Sequence, residues 1–177
     1  MKLLVVYSSC DGQTLKIAKH IVGKLRTSFE QVNYVNLADM PVEQVQLAGY
    51  DKVIIGASIR YGKFRPHLYD FLSQYREVLA TLPCVFFGVC LTARKAEKAT
   101  PETNLYMKKL KLNAVWLPEH QAVFAGALLY SRYNWWQTRL IQLIMKITGG
   151  STDTSKDIEL TDWAKVDEFA LKVEKLS

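Results

Sequence analysis

The sequence alternates short, continuously apolar runs with segments whose apolar residues recur at helical spacing, and this alternation constrains the fold most. Residues 3–7 form an apolar run, and the apolar residues of 15–29 then recur every three or four positions. Buried strands that alternate with helices indicate a parallel sheet covered on both faces. We therefore predict an α/β fold with a doubly wound, five-stranded parallel sheet. The predicted strands are 3–7, 31–37, 52–55, 84–89 and 122–127, and the predicted helices lie at 15–29, 68–75, 133–148 and 163–173.

The composition is that of one folded domain, since 49% of the 177 residues are hydrophobic and 23% are charged. A chain of this length buries enough surface to fold without a disulfide or a structural metal. No repeat or linker divides it, so we expect a single domain over 1–177 with an inserted basic, aromatic helical segment at about 128–150.

The cysteines and the apolar runs indicate a cytoplasmic protein. Cys10, Cys84 and Cys90 are odd in number and lack the spacing of a metal site, as is typical of free thiols in a reducing compartment. The first apolar run is too short for a signal peptide, and no stretch reaches the roughly 18 apolar residues of a membrane span.

The net charge of +6 is concentrated in residues 90–150, which carry nine basic and three acidic side chains. A basic surface favours an anionic partner, which can be nucleic acid, anionic lipid or an acidic small molecule. Lys108, Lys109 and Lys111 form a basic cluster, but no nucleic-acid-binding motif accompanies it. We therefore do not expect a nucleic-acid partner.

The loops after the first, third and fourth predicted strands are the expected binding site, because ligands of such sheets bind beyond the carboxyl ends of the strands. The first loop, 8–14, places hydroxyls and a glycine at a helix N-terminus, which favours a phosphate group. It lacks the glycine patterns of dinucleotide-binding and triphosphatase loops. A cysteine phosphatase loop would need arginine where Lys16 stands. In an alternative interpretation, Ser8, Asp11 and Thr14 only cap the helix.

Four stretches together resemble the flavodoxin-like protoporphyrinogen IX dehydrogenase family of bacterial haem synthesis. They are 11–14, 55–62, 93–98 and 149–154, and the resemblance spans nearly the whole chain in order and spacing. It implies a flavodoxin-like fold and an FMN cofactor. It also implies the oxidation of protoporphyrinogen IX to protoporphyrin IX, with electrons passed to ubiquinone or menaquinone at the cytoplasmic face of the inner membrane. Cys10 departs from the hydroxyl or basic residues expected beside the phosphate.

The flavin contacts that the resemblance implies lie in the first loop and between the fourth strand and the last helix. The loop after the third predicted strand agrees with this site, because Tyr61 could lie against a flat ring. Tyr61 could equally be an ordinary loop aromatic. No catalytic acid or base is required, and we identify no carboxylate partner for His20, His67 or His120. The predicted cofactor-binding residues are Ser8, Ser9, Cys10, Asp11, Gly12, Gln13, Thr14, Ser58, Ile59, Arg60, Tyr61, Gly62, Phe86, Phe87, Gly88, Val89, Cys90, Leu91, Thr92, Ala93, Arg94, Thr152, Asp153 and Thr154.

A cluster of basic residues is expected at the mouth of this site. Porphyrinogens carry two propionates, and guanidinium and ammonium groups pair with carboxylates. The predicted substrate-binding residues are Arg60, Lys63, Arg94, Lys95 and Lys98. The alternative is a solvated basic loop without a ligand.

Residues 133–148 predict a cationic amphipathic helix. One face carries Trp136, Leu140, Leu143, Ile144 and Ile147, and another carries Thr138, Arg139, Gln142 and Lys146. Such a helix can lie in a membrane interface or cover the sheet. The resemblance favours the membrane surface as a partner, because a lipid-soluble quinone must be reached there.

Two other functions compete with porphyrinogen oxidation. A flavodoxin-type electron carrier that docks on basic partners is expected to be acidic, whereas this chain is basic. An NAD(P)H:quinone reductase would use the same cofactor with a different electron donor.

Overall fold

A five-stranded parallel sheet forms the centre of the protein. The computed structural model describes residues 1–26 and 29–176. The strands of the sheet are β1 (Lys2–Ser8), β2 (Gln31–Asn36), β3 (Lys52–Ser58), β4 (Cys84–Val89) and β5 (His120–Phe124). Their order is β2-β1-β3-β4-β5, and each neighbouring pair is parallel. The chain winds outward in one direction from β1 to β2 and in the other from β3 to β5, which confirms the doubly wound prediction.

Helices cover both faces of this sheet. The helices of the described chain are α1 (Gln13–Lys24), α2 (Pro66–Gln74), α3 (Arg76–Leu79), α4 (Leu105–Asn113), α5 (Trp135–Thr148) and α6 (Trp163–Lys175), of which α5 lies outside these two layers. Because side chains alternate along a strand, Leu3 and Val5 pack with α1 and α6, whereas Leu4 and Val6 pack with α2 and α4. The predicted first helix ends at Lys24, and residues 27–28 lie outside the described part of the chain.

The fifth strand differs from the prediction over 122–127. It begins at His120 and ends at Phe124, and the chain then leaves the sheet. Residues Ala127–Leu128 form a separate short strand, β6, which pairs antiparallel with β7 (Ile158–Glu159). One short antiparallel ladder thus replaces the end of the predicted strand, and the apolar run of the sequence does not show where the main sheet ends.

The sequence pattern missed α4 because the helix has little amphipathic character. Only Met107 and Leu110 are buried among its nine residues. Its start is nevertheless well defined, since the Asn104 side chain accepts hydrogen bonds from the backbone N–H groups of Tyr106 and Met107.

Helix α5 packs outside the two cores of the sheet. Its start is a capping box formed by Asn134 and Gln137, and it ends at Gly149, which has a φ of 72°. Its one fully buried residue, Met145, packs in a small separate cluster with Leu128 and Tyr130. The alternative in which this helix covers the sheet is therefore wrong.

We expect Gly56→Ala to destabilise the protein by roughly 1–3 kcal/mol, because a Cβ at this position would overlap the Phe87 ring in the core. Gly23→Ala is the matched control, since a Cβ there meets nothing within 4 Å in helix α1. That substitution should stabilise the helix by roughly 0.5–1 kcal/mol. Urea unfolding of both variants measures the difference, and an equal effect of the two substitutions would contradict the packing argument.

Candidate functional site

A cavity of about 550 Å³ lies where the strand order reverses. It is lined by the loops that follow β1, β3 and β4, as expected for the carboxyl edge of such a sheet. Helix α5 and the residues just before it form a further wall. The volume lies within the usual range of small-molecule sites.

The first loop presents unsatisfied polar groups to this cavity. Gly12, with a φ of 87°, stands at the start of α1, and no side chain caps the helix. The Thr14 side chain is fully buried and lines the cavity, yet its hydroxyl has no hydrogen-bond partner among the described residues. A buried unpaired hydroxyl is costly, so an occupant of the cavity that accepts a hydrogen bond from it would stabilise this loop. The arrangement suits a phosphate group.

The alternative in which Ser8, Asp11 and Thr14 merely cap α1 is wrong, because their side chains have other environments. The Ser8 hydroxyl lies 2.6 Å from Nε2 of His67, and burial is the main cause that lowers the pKa of this histidine. An Asp11 carboxylate oxygen accepts a hydrogen bond from Nη1 of Arg60 at 2.9 Å.

Two further arginines lie against the first loop. Arg65 contacts the thiol of Cys10, and Arg132 contacts the backbone oxygen of Asp11. Sequence reasoning missed both, because they are 55 and 121 residues away from their partners along the chain. With Arg60, they surround the proposed anion site with positive charge.

The loop after β3 reaches across the cavity mouth to α5. Tyr61 has a φ of 49°, and 69% of its surface is exposed. A hydrogen bond with Gln137 is the main cause that lowers the pKa of the Tyr61 phenol, and Arg60 adds to it. The Arg60 guanidinium also lies 5.3 Å from the Tyr61 ring centre and 6.0 Å from that of Tyr133. These contacts connect the loop to the start of α5.

The loop after β4 is connected to the other end of α5 through Arg94. Its Nη1 donates a hydrogen bond to the Leu91 carbonyl at 2.9 Å. Its Nη2 donates to the Thr148 hydroxyl at 2.7 Å and to the Thr148 carbonyl at 3.3 Å. The guanidinium predicted to bind a substrate carboxylate thus has three acceptors within the protein.

The structure brings most of the predicted cofactor-binding residues together at the cavity. Those that line it are Ser9, Cys10, Asp11, Gln13, Thr14, Ser58, Ile59, Arg60, Tyr61, Gly62, Val89, Cys90, Leu91, Thr92 and Arg94. The others lie outside its lining: Ser8 at the end of β1, Gly12 at the start of α1, Phe86, Phe87 and Gly88 within β4, Ala93 in the buried turn after it, and Thr152, Asp153 and Thr154 in the segment before β7.

The predicted substrate lysines lie outside the cavity lining. Lys63 and Lys98 are exposed and Lys95 is half-buried. Among residues 1–26 and 29–176, none of the three forms an ion pair. Their charges are therefore not neutralised by an ion pair within the described residues.

Several lining residues were not predicted as site residues. The sequence shows the apolar pattern of 133–148, but it does not show which of these apolar residues face the cavity. The additional lining residues are Tyr106, Gly126, Ala127, Tyr133, Gln137, Leu140, Ile141, Ile144 and Thr148.

The apolar surface of α5 is divided between the cavity and the outside of the protein. Leu140, Ile141 and Ile144 line the cavity. Outside it, an exposed ridge is formed by Trp136, Leu143 and Ile147, which we call the outer ridge. The exposed side chains of Arg139 and Lys146 are on the same helix.

The expectation that none of the histidines has a carboxylate partner is wrong for His20. Its Nε2 lies 2.6 Å from a carboxylate oxygen of Asp167, in a contact between α1 and α6. Neither residue lines the cavity, so this pair connects two helices and takes no part in the site.

The sheet order and the cavity at its point of reversal define a flavodoxin-like α/β protein. Residues 4–155 match the Flavodoxin_5 family, described as a flavodoxin domain. Flavodoxin 1 from Bacillus cereus aligns over 100% of both chains with a TM-score of 0.52 and 20% identity. Rubredoxin oxygen:oxidoreductase from Desulfovibrio gigas aligns with 98% of this chain and 35% of its own, with a TM-score of 0.55 and 12% identity. These structural similarities concern the fold alone.

Curated relatives are similar over the full length. Protoporphyrinogen IX dehydrogenase [quinone] from Escherichia coli (strain K12) is 42% identical over 177 residues, which are 100% of this chain and 97% of the relative. The protein of the same name from Leishmania major is 44% identical over 96% of this chain and 73% of its own. The chain belongs to the flavodoxin domain family and, within it, to the protoporphyrinogen IX dehydrogenase [quinone] family. The resemblance drawn from the four motifs is thereby confirmed.

Proposed function

We propose that this protein oxidises protoporphyrinogen IX to protoporphyrin IX, using FMN, and passes the electrons to a quinone. The observation that carries the proposal is the match of the whole chain to curated dehydrogenases of that name. The cavity supports it, because a polar first loop and an apolar helical wall meet in one site that is open to a flat substrate. An electron carrier needs no such substrate wall, so the geometry favours the dehydrogenase over a flavodoxin-type carrier.

The residues of the cavity fit FMN. The first loop offers backbone N–H groups at the start of α1 and the unpaired Thr14 hydroxyl, which suit a phosphate ester. The turns after β3 and β4 line the adjoining part of the cavity, where Tyr61 and Leu91 are among the residues that would hold the ring. The bound flavin would supply the transfer of a hydride and its later release as electrons, and the protein would orient the ring and exclude water.

We expect Thr14→Val to weaken FMN binding by roughly 10- to 100-fold, because it removes a hydrogen bond to a charged phosphate. Riboflavin, which lacks the phosphate, should bind equally well before and after the substitution. Fluorescence titration of the apoprotein with each flavin measures this ratio. Thr92→Val, on the loop after β4, is the control and should leave the ratio of FMN to riboflavin affinity unchanged. An equal loss for both flavins in the Thr14 variant would contradict a phosphate contact.

The substrate would lie against the cavity-facing residues of α5. Leu140, Ile141 and Ile144 provide an apolar surface for a macrocycle. Lys63, Lys95 and Lys98 then become the candidates for pairing with the propionates, together with Arg60. Arg94 is no longer a candidate, because its guanidinium already has three acceptors in the protein.

The overall reaction sets what the site must accommodate. Protoporphyrinogen loses six electrons and six protons, so three two-electron cycles are needed, and each reduces one quinone to a quinol. Among the described residues that line the cavity, the one carboxylate, Asp11, is ion-paired with Arg60. The residues therefore bind and position the reactants.

Anaerobic assay of the FMN-loaded protein tests the function. With protoporphyrinogen IX and a water-soluble quinone, we expect porphyrin fluorescence to appear with three quinols formed per porphyrin. NADH with the same quinone should support little reduction. A flavin-loaded protein that reduces quinone from NADH but leaves porphyrinogen unchanged would instead be an NAD(P)H:quinone reductase.

We further propose that the outer ridge of α5 rests on an anionic membrane surface, at the cytoplasmic face of the inner membrane. In the described part of the chain, no helix has the length and hydropathy needed to cross a bilayer. Trp136, at 75% exposed, and Ile147, also at 75%, are suited to the interfacial region. Arg139 and Lys146 can lie at the level of the headgroups. This position would give a lipid-soluble quinone access to the cavity from the side of α5.

We expect Ile147→Ala to weaken binding to vesicles that contain phosphatidylglycerol by about tenfold, because a buried isoleucine contributes ~1.5–3 kcal/mol. Leu112→Ala is the matched control, since Leu112 is a similarly exposed side chain on α4. Sedimentation with vesicles gives both affinities. If the two variants lose affinity equally, or if neither does, the outer ridge is not the membrane contact.

A further inference from the structure

The guanidinium of Arg94, from the turn after β4, lies at the C-terminal end of α5. The helix ends with its last carbonyl groups at Thr148, where the helix dipole favours a positive charge. The Arg94 guanidinium meets this end through the hydroxyl and the carbonyl of Thr148. The Thr148 hydroxyl in turn donates to the Ile144 carbonyl at 2.7 Å. Arg94 is therefore connected to the last turn of the helix, which includes a residue of the cavity wall.

The contact between Arg94 and the end of α5 is closely packed. The backbone N–H of Gly150 donates to the Met145 carbonyl at 2.7 Å, which folds the chain back over the helix end. A Cβ on Gly150 would overlap the Met145 side chain and would come within 3.4 Å of the Arg94 guanidinium. The site thus holds the guanidinium between the helix end and the returning chain.

The other end of Arg94 belongs to the loop after β4. Nη1 of Arg94 donates a hydrogen bond to the carbonyl of Leu91. Both Leu91 and Thr92 line the cavity. Arg94 consequently connects two walls of one cavity, namely the loop that would face the flavin and the helix that would face the substrate. The other contacts that hold α5 are the packing of Met145 and Ile141 in a small apolar cluster and a hydrogen bond from Nε2 of Gln142 to the Thr152 carbonyl at 3.1 Å.

We propose that Arg94 is the positioning residue that holds α5 over the cavity, and that it does not bind the substrate carboxylates. The identity of the substrate rests on the proposed function, whereas the hold on α5 does not. In this role Arg94 sets the distance between the flavin-facing loop and the residues Leu140, Ile141 and Ile144. Loss of the guanidinium would leave these residues on a helix attached by Met145 and Ile141 in their apolar cluster and by the Gln142 hydrogen bond to the Thr152 carbonyl.

Limited trypsin digestion tests the hold on α5 without any substrate. Arg139 and Lys146 provide exposed cleavage sites within the helix, and Lys108, Lys109 and Lys111 provide sites on α4 as an internal control. In Arg94→Ala we expect cleavage in α5 to accelerate about tenfold, while cleavage in α4 keeps its wild-type rate. Arg94→Lys keeps the charge but cannot donate hydrogen bonds to both Leu91 and Thr148 as the guanidinium does, so it should give an intermediate rate. Unchanged cleavage in α5 would overturn the proposal, and faster cleavage at all sites would show general unfolding instead.

Steady-state kinetics distinguish a positioning residue from a carboxylate ligand. The FMN-loaded enzyme is assayed with protoporphyrinogen IX and with its dimethyl ester, which lacks the two carboxylates. For Arg94→Ala we expect KM to rise about tenfold for both substrates, with the FMN dissociation constant unchanged. Lys98→Ala is the contrasting variant and should raise KM for the diacid alone. A rise confined to the diacid in Arg94→Ala would overturn the proposal and would return Arg94 to the carboxylate site.

Thr148→Val provides a second variant with a smaller change in shape. It removes the hydroxyl that accepts from Arg94, so it should reproduce part of the KM increase for both substrates. The double variant with Arg94→Ala should be no worse than Arg94→Ala alone, because both substitutions break the same contact. Additive effects would overturn the assignment of Arg94 to Thr148. If the wild-type protein failed to oxidise either porphyrinogen, the proposed function would be rejected, and the trypsin result would still decide the role of Arg94.

Discussion

Burial of β1, β3 and β4 on both faces is the constraint on which the site depends. Their side chains pack alternately with α1 and α6 on one side and with α2 and α4 on the other, so the three strands must be parallel and adjacent. Parallel strands end at the same edge. The three loops that follow them therefore meet, although they are separated by some 30 to 50 residues of sequence. Reversal of the winding direction at β1 and β3 leaves a crevice between these loops, and the polar groups of the first loop open into it.

Helix α5 turns this crevice into a walled cavity, and it does so with little burial of its own. A helix held mainly by packing would bury an apolar stripe against the sheet. Here the apolar stripe stays open, partly to the cavity and partly to the outside. Polar contacts lie at the two ends instead: Arg60 with the Tyr133 ring just before the start, and Arg94 with Thr148 at the end. Such an arrangement leaves apolar surface free for a ligand or a lipid interface.

The order of strands and helices was predictable because it rests on patterns that are local in sequence. The all-apolar run of β4 and the helical spacing of α6 appear where they were predicted. Most of the cavity lining was also predictable, since loops that follow parallel strands share one edge. The pattern did not reveal α4, where only Met107 and Leu110 are buried, nor the departure of the chain from the sheet after Phe124. In both places a few apolar residues are compatible with more than one backbone conformation.

The sequence determined the buried strands, the helix periods and the motifs of the family, because each depends on residues that are near one another in the chain. The folded chain decided which side chains share a site. Arg65 and Arg132 reach the first loop from distant segments, and Arg94 reaches Thr148 across 54 residues. A charged residue near a binding loop has the same appearance in sequence whether it meets a ligand or a helix end. Its hydrogen-bond partners distinguish the two roles, and those partners are set by tertiary packing.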